Sequence, residues 1–346
     1  MLFRSGTLMN TKKIFLSLGA GILAVSTFFV LGSVKSHEPV VEQAVADTVS
    51  DYYAECEGLT GSALKTKLKS IISKNVSVSY EWSRYEQADE DPNNKSNIIT
   101  IYARTSLAKS AHVSGSTGWN REHTFPQSKM SSADAKNDNH IIFASDCVVN
   151  GKRGNHRLGE LTSGTAIKDS YGNSTTCLLS GDIFDPGDTI ARGLVARSTM
   201  YAAVLYGFDI DENITSYAKC LEWHFKYYPT TSIDIHRNEV VYGNQHNRNP
   251  FVDHPEYAAY IWGDHDSQCQ QICEKYLSSL ESLTLTGTPT KTTYRAGESF
   301  DPAGLTVTAR LKTASGSYTN EDVTSSVEWS PKTLSTSDTS VTGTYT

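Results

Sequence analysis

The chain has 346 residues, 38% of them apolar and 20% charged, which leaves room for two domains with a large core and excludes wholesale disorder. The formal net charge of −7 argues mildly against a nucleic-acid partner. Such a partner needs only a local basic groove, so net charge by itself excludes no function class.

The N-terminus reads as an export signal. Lys12 and Lys13 precede an apolar run from Ile14 to Gly32, with Met9 as an alternative start and Gly32-Ser33 or Ala44-Val45-Ala46 as the place of cleavage. The rival is an uncleaved anchor, because the run approaches the roughly 20 residues that span a bilayer. Residues 1–46 are read as signal peptide and leader, and the mature protein as secreted or cell-surface associated, without a stable membrane span. Six cysteines (Cys56, Cys147, Cys177, Cys220, Cys269 and Cys273) in an oxidising compartment favour disulfides of unassigned pairing. A zinc site is the weaker alternative, since no C-x-x-C pair exists.

Apolar residues at 64, 68, 71 and 72 predict a helix capped near Thr60 or Ser62. Val76–Tyr80 alternates like a strand, Glu86–Ser96 reads as a loop, and Ile98–Tyr102 as a buried strand. A strand then runs into His123, followed by a long loop, a second strand at His140–Phe143 and a helix or turn around Asn150. After a loop rich in Gly, Ser and Thr come helices at Thr189–Leu205, Tyr217–Tyr227 and Ile233–Tyr242, and a final amphipathic helix reaching about Leu280. From Leu283 the composition turns to Ser and Thr with short alternating runs such as Leu305-Thr306-Val307-Thr308, the pattern of a small β-sandwich. The expected architecture is α+β. A mainly helical domain over 47–281 surrounds the central strand pair, and an accessory all-β module covers 282–346.

The chemistry gathers between Gly118 and Arg157. Glu122-His123 sets a carboxylate beside an imidazole whose ordinary pKa of about 6.5 suits a general base near neutral pH. Glu122 and the amide oxygen of Asn150 are suitable ligand types for a hard divalent cation, and Arg121 or Arg153 can clamp a phosphate. Base, cation and phosphate clamp together suit phosphodiester hydrolysis. His140 on its apolar strand reads as a structural histidine in preference to a ligand, Asp138 as a structural residue as readily as a ligand, and Arg237, Asn238, Arg248 and Asn249 as buried anchors as readily as substrate contacts.

The ordered motifs Asn120-Arg121-Glu122-His123, Pro126-Gln127-Ser128, Asp138-x-His140 and Val149-Asn150-Gly151-x-Arg153-x-Asn155 resemble the bacterial endonuclease I family of ββα-metal (His-Me finger) nucleases. So do Leu59-Thr60-Gly61 before them and Gln245-x-Asn247-Arg248-Asn249-Pro250-Phe251-x-Asp253-His254-Pro255 after them. The resemblance covers about residues 50–275. Tyr294-x-x-Gly297-Glu298 and Gly304-Leu305-Thr306-Val307 resemble bacterial immunoglobulin-like domains. The first resemblance implies His123 as general base and Glu122 with Asn150 as ligands of one divalent metal, Mg²⁺ or else Mn²⁺ or Ca²⁺. Products would be 5′-phosphate ends from DNA and RNA. Arg153 joins the catalytic set, and Arg121 and Arg248 the substrate contacts. The loop Ser128–Asn137 lacks the arginine that relatives place there, and His246 stands where the family often has Gly. A catalytically inactive surface adhesin is the alternative function. The expected state is a monomer, with a cell-surface ligand for the Ig-like module.

Overall fold

The computed structural model describes residues 12–17, 25–26, 49, 51–113, 115–227, 232–312, 318–335, 337–338 and 340–345. Two compact units divide the chain: Glu38–Cys273, and Glu274–Thr346 together with Met1–His37.

In the first unit, helix Gly61–Ile72 buries Leu64, Leu68, Ile71 and Ile72, the four side chains that helical spacing puts on one face. Helix Thr189–Leu205 is the centre of the unit. Every residue from Gly193 to Leu205 is buried, and helices Gly61–Ile72, Tyr217–Lys226 and Pro250–Asp253 pack around it. A helix buried all round must satisfy its polar side chains internally. Arg197 therefore pairs with Asp234 at 2.7 Å, and Ser198 Oγ donates to His140 O at 2.8 Å.

Three small sheets complete the unit, so "mainly helical" understates its strand content. Glu90–Asp91, Asn94–Ile99 and Ser106–Ala108 form one. Arg157–Leu158, Ile183–Asp185, Ser174–Ser180 and Thr165–Lys168 form the second, in that spatial order. The third pairs Trp119–His123 with Ile142–Asp146. The stretch 86–96 is a helix end and a hairpin instead of a loop, because Asp91 Oδ1 accepts from Asn93 N and closes the turn. The second sheet lies in the Gly/Ser/Thr-rich stretch, where exposed Thr and Ser on Ser174–Ser180 hide the alternation. Val76–Tyr80 is irregular instead of a strand: Val76 N donates to Gln245 O, and Tyr80 O accepts from Arg121. The last predicted helix is two, Tyr257–Trp262 and Ser267–Tyr276.

The expected disulfide framework is not formed. Cys56, Cys147, Cys177, Cys220 and Cys269 are buried free thiols, and Cys273 is buried as well. Burial pushes the Cys56 thiol up to about 11 and Cys177 up to about 12, which keeps both protonated and unreactive near neutral pH.

The second unit has one sheet of Ser279–Gly287, Leu305–Lys312 and Tyr318–Asp322. Leu305, Val307, Ala309 and Leu311 point inward at period two and pack with Leu283, Leu285 and Trp329. A second sheet contains Glu328–Ser330 and Ser340–Tyr345, with Lys12–Ser17 antiparallel to the latter. Val25–Ser26 pairs antiparallel with Lys12–Ser17, and the other residues of the expected export signal, including both cleavage positions, lie outside the described residues. Among the described residues no helix is long and apolar enough to cross a membrane.

Candidate active site

The site is built on a strand pair that runs straight into a helix. Trp119 lies opposite Asp146, and His123 opposite Ile142. Asp146 ends its strand and caps helix Cys147–Arg153, its Oδ1 accepting from Val148 N at 3.0 Å and Val149 N at 3.1 Å. Such a cap satisfies helix N–H groups that would otherwise be orphaned, so no connecting loop is needed. The helix brings Asn150 back over the first strand. Its Nδ2 donates to Asn120 Oδ1 at 2.7 Å and to Arg121 O at 3.3 Å, which leaves Oδ1 as the atom it can offer a cation.

The outer edge of the second strand is sealed by other parts of the chain. Ala144 O accepts from Ile101 N at 2.8 Å, Ala144 N donates to Asp89 Oδ2 at 2.7 Å, and Ile142 O accepts from Arg237. Arg237 also donates to Asp89 Oδ1 and, at 2.6 Å, to Asn139 O. A two-stranded sheet is marginal alone, and these bonds replace the missing neighbour strand.

His123 ends the first strand and is 7% exposed. Its Nε2 lies 2.9 Å from Lys136 O. A carbonyl only accepts, so Nε2 carries the proton and Nδ1 is left with its lone pair. Gln127 Nε2 is 3.3 Å from Nδ1 and 2.9 Å from Nε2; with Nε2 protonated, only the Nδ1 contact can be a hydrogen bond. Burial pulls the imidazole below its ordinary pKa, and Arg121, Arg153 and Lys136 lower it further against the Lys136 carbonyl. The ring is therefore neutral, as a base must be.

Glu122 is 3% exposed, and burial pushes its carboxyl up to about 7. Tyr102, singled out from the sequence only as the end of an expected buried strand, donates its hydroxyl to Glu122 Oε1 at 2.7 Å. Arg153 Nε lies 3.4 Å from the same oxygen but makes no aligned hydrogen bond, so the contact is electrostatic only. The rest of the Arg153 guanidinium donates to Gly154 O at 2.8 Å and Thr124 O at 2.7 Å.

Arg153 and Arg248 do not sit as phosphate clamps. Arg153 is fully buried beneath Glu122, and Arg248 is 5% exposed, bound to both Asp253 oxygens and to Glu239. Arg192, Arg197 and Arg237 likewise face Asp185, Asp234 and Asp89. Arg121 differs: it is half-buried, donates to Tyr80 O at 2.7 Å, and lies against the Tyr80 and Trp82 rings. Asn238 and Asn249 are buried anchors, Asn249 capping the helix at Pro250. His246 has a left-handed φ of 62°, which explains why glycine suits that position.

Asp138 and His140 are structural. Asp138 accepts from Tyr201, Tyr206, Gln245 and the His140 backbone, while His140 Nε2 faces Asn247 O at 3.0 Å. Burial pulls His140 down to about 4, below its unfolded value of about 6.5. The unfolded chain then binds the extra proton first, so this stabilisation is complete above pH ~6.5 and is lost as pH falls toward 4, up to about 3 kcal/mol. Urea titrations between pH 7.5 and 4.5 should show that slope, and His140→Gln should make it shallower; an equally steep acid limb in the variant would refute this source.

A divalent metal fits this donor set. Glu122 is a buried carboxylate whose charge is offset only by one misaligned guanidinium, and Asn150, its Nδ2 held on Asn120 Oδ1 and on the carbonyl of Arg121, has its amide oxygen to offer. Oxygen donors of this type suit Mg²⁺, Mn²⁺ or Ca²⁺. Among the described residues no three His, Cys, Asp or Glu side chains gather into a group that could hold a metal ion.

Comparison with known proteins agrees with this architecture. The endonuclease I family model matches residues 60–256, and the model of bacterial Ig-like domains (group 3) matches 287–346. An extracellular ribonuclease of Bacillus amyloliquefaciens is 37% identical over 238 residues, covering 63% of this chain and 79% of the relative. An extracellular ribonuclease of Bacillus subtilis (strain 168) is 35% identical over 245 residues, covering 65% and 81%. The chain is a nuclease that belongs to the endonuclease I family and carries a bacterial Ig-like domain.

Proposed function

We propose that this nuclease is secreted and hydrolyses RNA and DNA by attack of water, with His123 as general base and one divalent metal. The observation that carries the reading is the His123 imidazole, neutral and with Nε2 on Lys136 O, so that Nδ1, which meets only the long 3.3 Å contact from Gln127, is the nitrogen left to take a proton. Water forms the new bond to phosphorus and gives its proton to Nδ1. The bond from phosphorus to the 3′ oxygen breaks, and that oxygen leaves as a hydroxyl with a solvent proton. Ends are 5′-phosphate and 3′-hydroxyl. This path does not use the 2′-hydroxyl, so DNA is a substrate as well as the RNA suggested by the relatives' names.

Glu122 and Asn150 would hold the metal, most simply Mg²⁺, whose charge opposes the negative charge that grows on the phosphate. Tyr102 and Arg153 are positioning residues for Glu122, and Arg121 contacts substrate. The extracellular relatives and the apolar segment after Lys12-Lys13 support secretion.

The test is cleavage of end-labelled RNA and of plasmid DNA by the full chain, with Mg²⁺ and with EDTA. Both polymers should be cut, EDTA should reduce the rate by at least about 100-fold, and the new 5′ ends should be phosphorylated. Ends bearing a 2′,3′-cyclic phosphate, or cleavage indifferent to EDTA, would refute the mechanism. Intact polymers would favour the adhesin alternative.

A further inference from the structure

A row of planar groups leads up to His123 without entering the hydrolysis. His112 stacks on Trp82, centroids 4.6 Å apart and planes at 13°. The Arg121 guanidinium carbon lies 3.9 Å from the Trp82 ring centre and 3.6 Å from that of Tyr80. Tyr80 in turn lies 5.8 Å from the His123 ring, tilted by 34°. The row is anchored on its inner side, where Trp82 meets buried Trp119 edge-on and Tyr80 meets buried Tyr85. Its outer side is open. Tyr80 is 37% exposed, and Trp82, His112 and Arg121 are half-buried.

Core packing does not require a tyrosine in water beside the base, nor a cation held by rings and a carbonyl instead of a carboxylate. An unpaired nucleotide does call for both. Its base stacks on an aromatic surface whatever its identity, and its phosphate takes charge-assisted bonds from a guanidinium whose remaining N–H groups are held in place. A base inside a duplex is already stacked and cannot reach the ring without being unstacked.

We propose that Tyr80 and Arg121 form a nucleotide subsite next to the scissile bond: Tyr80 stacks one unpaired base, Arg121 holds its phosphate, and single strands are cleaved in preference to duplexes. The proposal rests on the nuclease reading of His123.

Three RNA substrates test it on the full chain with Mg²⁺: a 15-nucleotide single strand, the same strand in a duplex, and single strands with one abasic ribose at each successive position, cleavage being read bond by bond. The wild type should lose about tenfold in kcat/KM at one abasic position next to the cleaved bond, and a similar factor on the duplex. Tyr80→Leu should lose about tenfold on the intact single strand, chiefly through KM, and nothing further at that abasic position. Tyr80→Phe, which keeps the ring, should stay within about twofold of wild type. Losses from Tyr80→Leu and from the abasic site that multiply, or a single-strand preference unchanged in Tyr80→Leu, would overturn the subsite and leave Tyr80 as a support for His123. The wild-type abasic scan needs no variant, and a flat profile there overturns the proposal even if Tyr80→Leu fails to fold. Failure of the wild type to cut any of the three refutes the nuclease reading instead.

Discussion

His123→Ala should slow RNA cleavage by about 10²–10⁴-fold, the contribution of a positioned general base, with the affinity for uncleaved RNA held within about twofold. The loss should appear in kcat because the ring lies at the end of its strand with Nε2 already committed to Lys136 O, so it acts on water and not as a principal phosphate contact. The pH profile supplies a second signature. A base is active when deprotonated, and burial, with Arg121, Arg153 and Lys136 nearby, holds this imidazole below 6.5. With Mg²⁺ saturating, so that a bound cation keeps Glu122 ionised, the rate should therefore climb with pH and level off below pH 6.5, and that limb should vanish in His123→Ala. A variant with full cleavage, or a wild-type profile still rising steeply above pH 7.5, would remove His123 from the role.

Arg237→Ala should destabilise the nuclease unit by about 3–5 kcal/mol, the range for breaking one partner of a buried ion pair. Arg237 is 4% exposed, lies with its guanidinium 3.6 Å from the Phe143 ring centre, and bonds Asp89, Asn139 O and Ile142 O together. Removing it leaves Asp89 buried without its cation and strips the second active-site strand of an edge partner. Against a typical stability of about 5–15 kcal/mol this is a large share. Urea unfolding followed by tryptophan fluorescence would measure it. The variant with both Asp89→Asn and Arg237→Met should recover part of the loss, since no unpaired charge remains. A cost below about 1 kcal/mol for Arg237→Ala would show the pair to be solvated.

Much of the site was legible along the chain because its parts are close in sequence. Glu122 and His123 share one strand end, and Asp146 caps the helix that carries Asn150 only four residues later. Helix Thr189–Leu205 was legible too, through its length and nearly continuous apolar surface. The sheet between Arg157 and Asp185 was not, because Thr and Ser fill its exposed positions and local composition reads as loop.

The arginines show where sequence reading stops. In sequence, Arg121, Arg153, Arg237 and Arg248 are equivalent cations beside family motifs. Their roles depend on carboxylates at very different separations, such as Asp89, which meets Arg237 from 148 residues away. Folding decides which guanidinium is neutralised in the interior and which is left against rings at the surface, because a buried charge requires a partner and an exposed one does not. Sequence alone picked out an imidazole of the type that serves as a base, a carboxylate and an amide of the types that suit a metal, and the family they resemble. Only the tertiary structure decided that Nε2 of His123 is committed to Lys136 O, that Tyr102 and Arg153 stand behind Glu122, and that Arg121 is held by Tyr80 and Trp82. Each of those is settled by a contact with a carbonyl, hydroxyl or ring that another segment of the chain supplies.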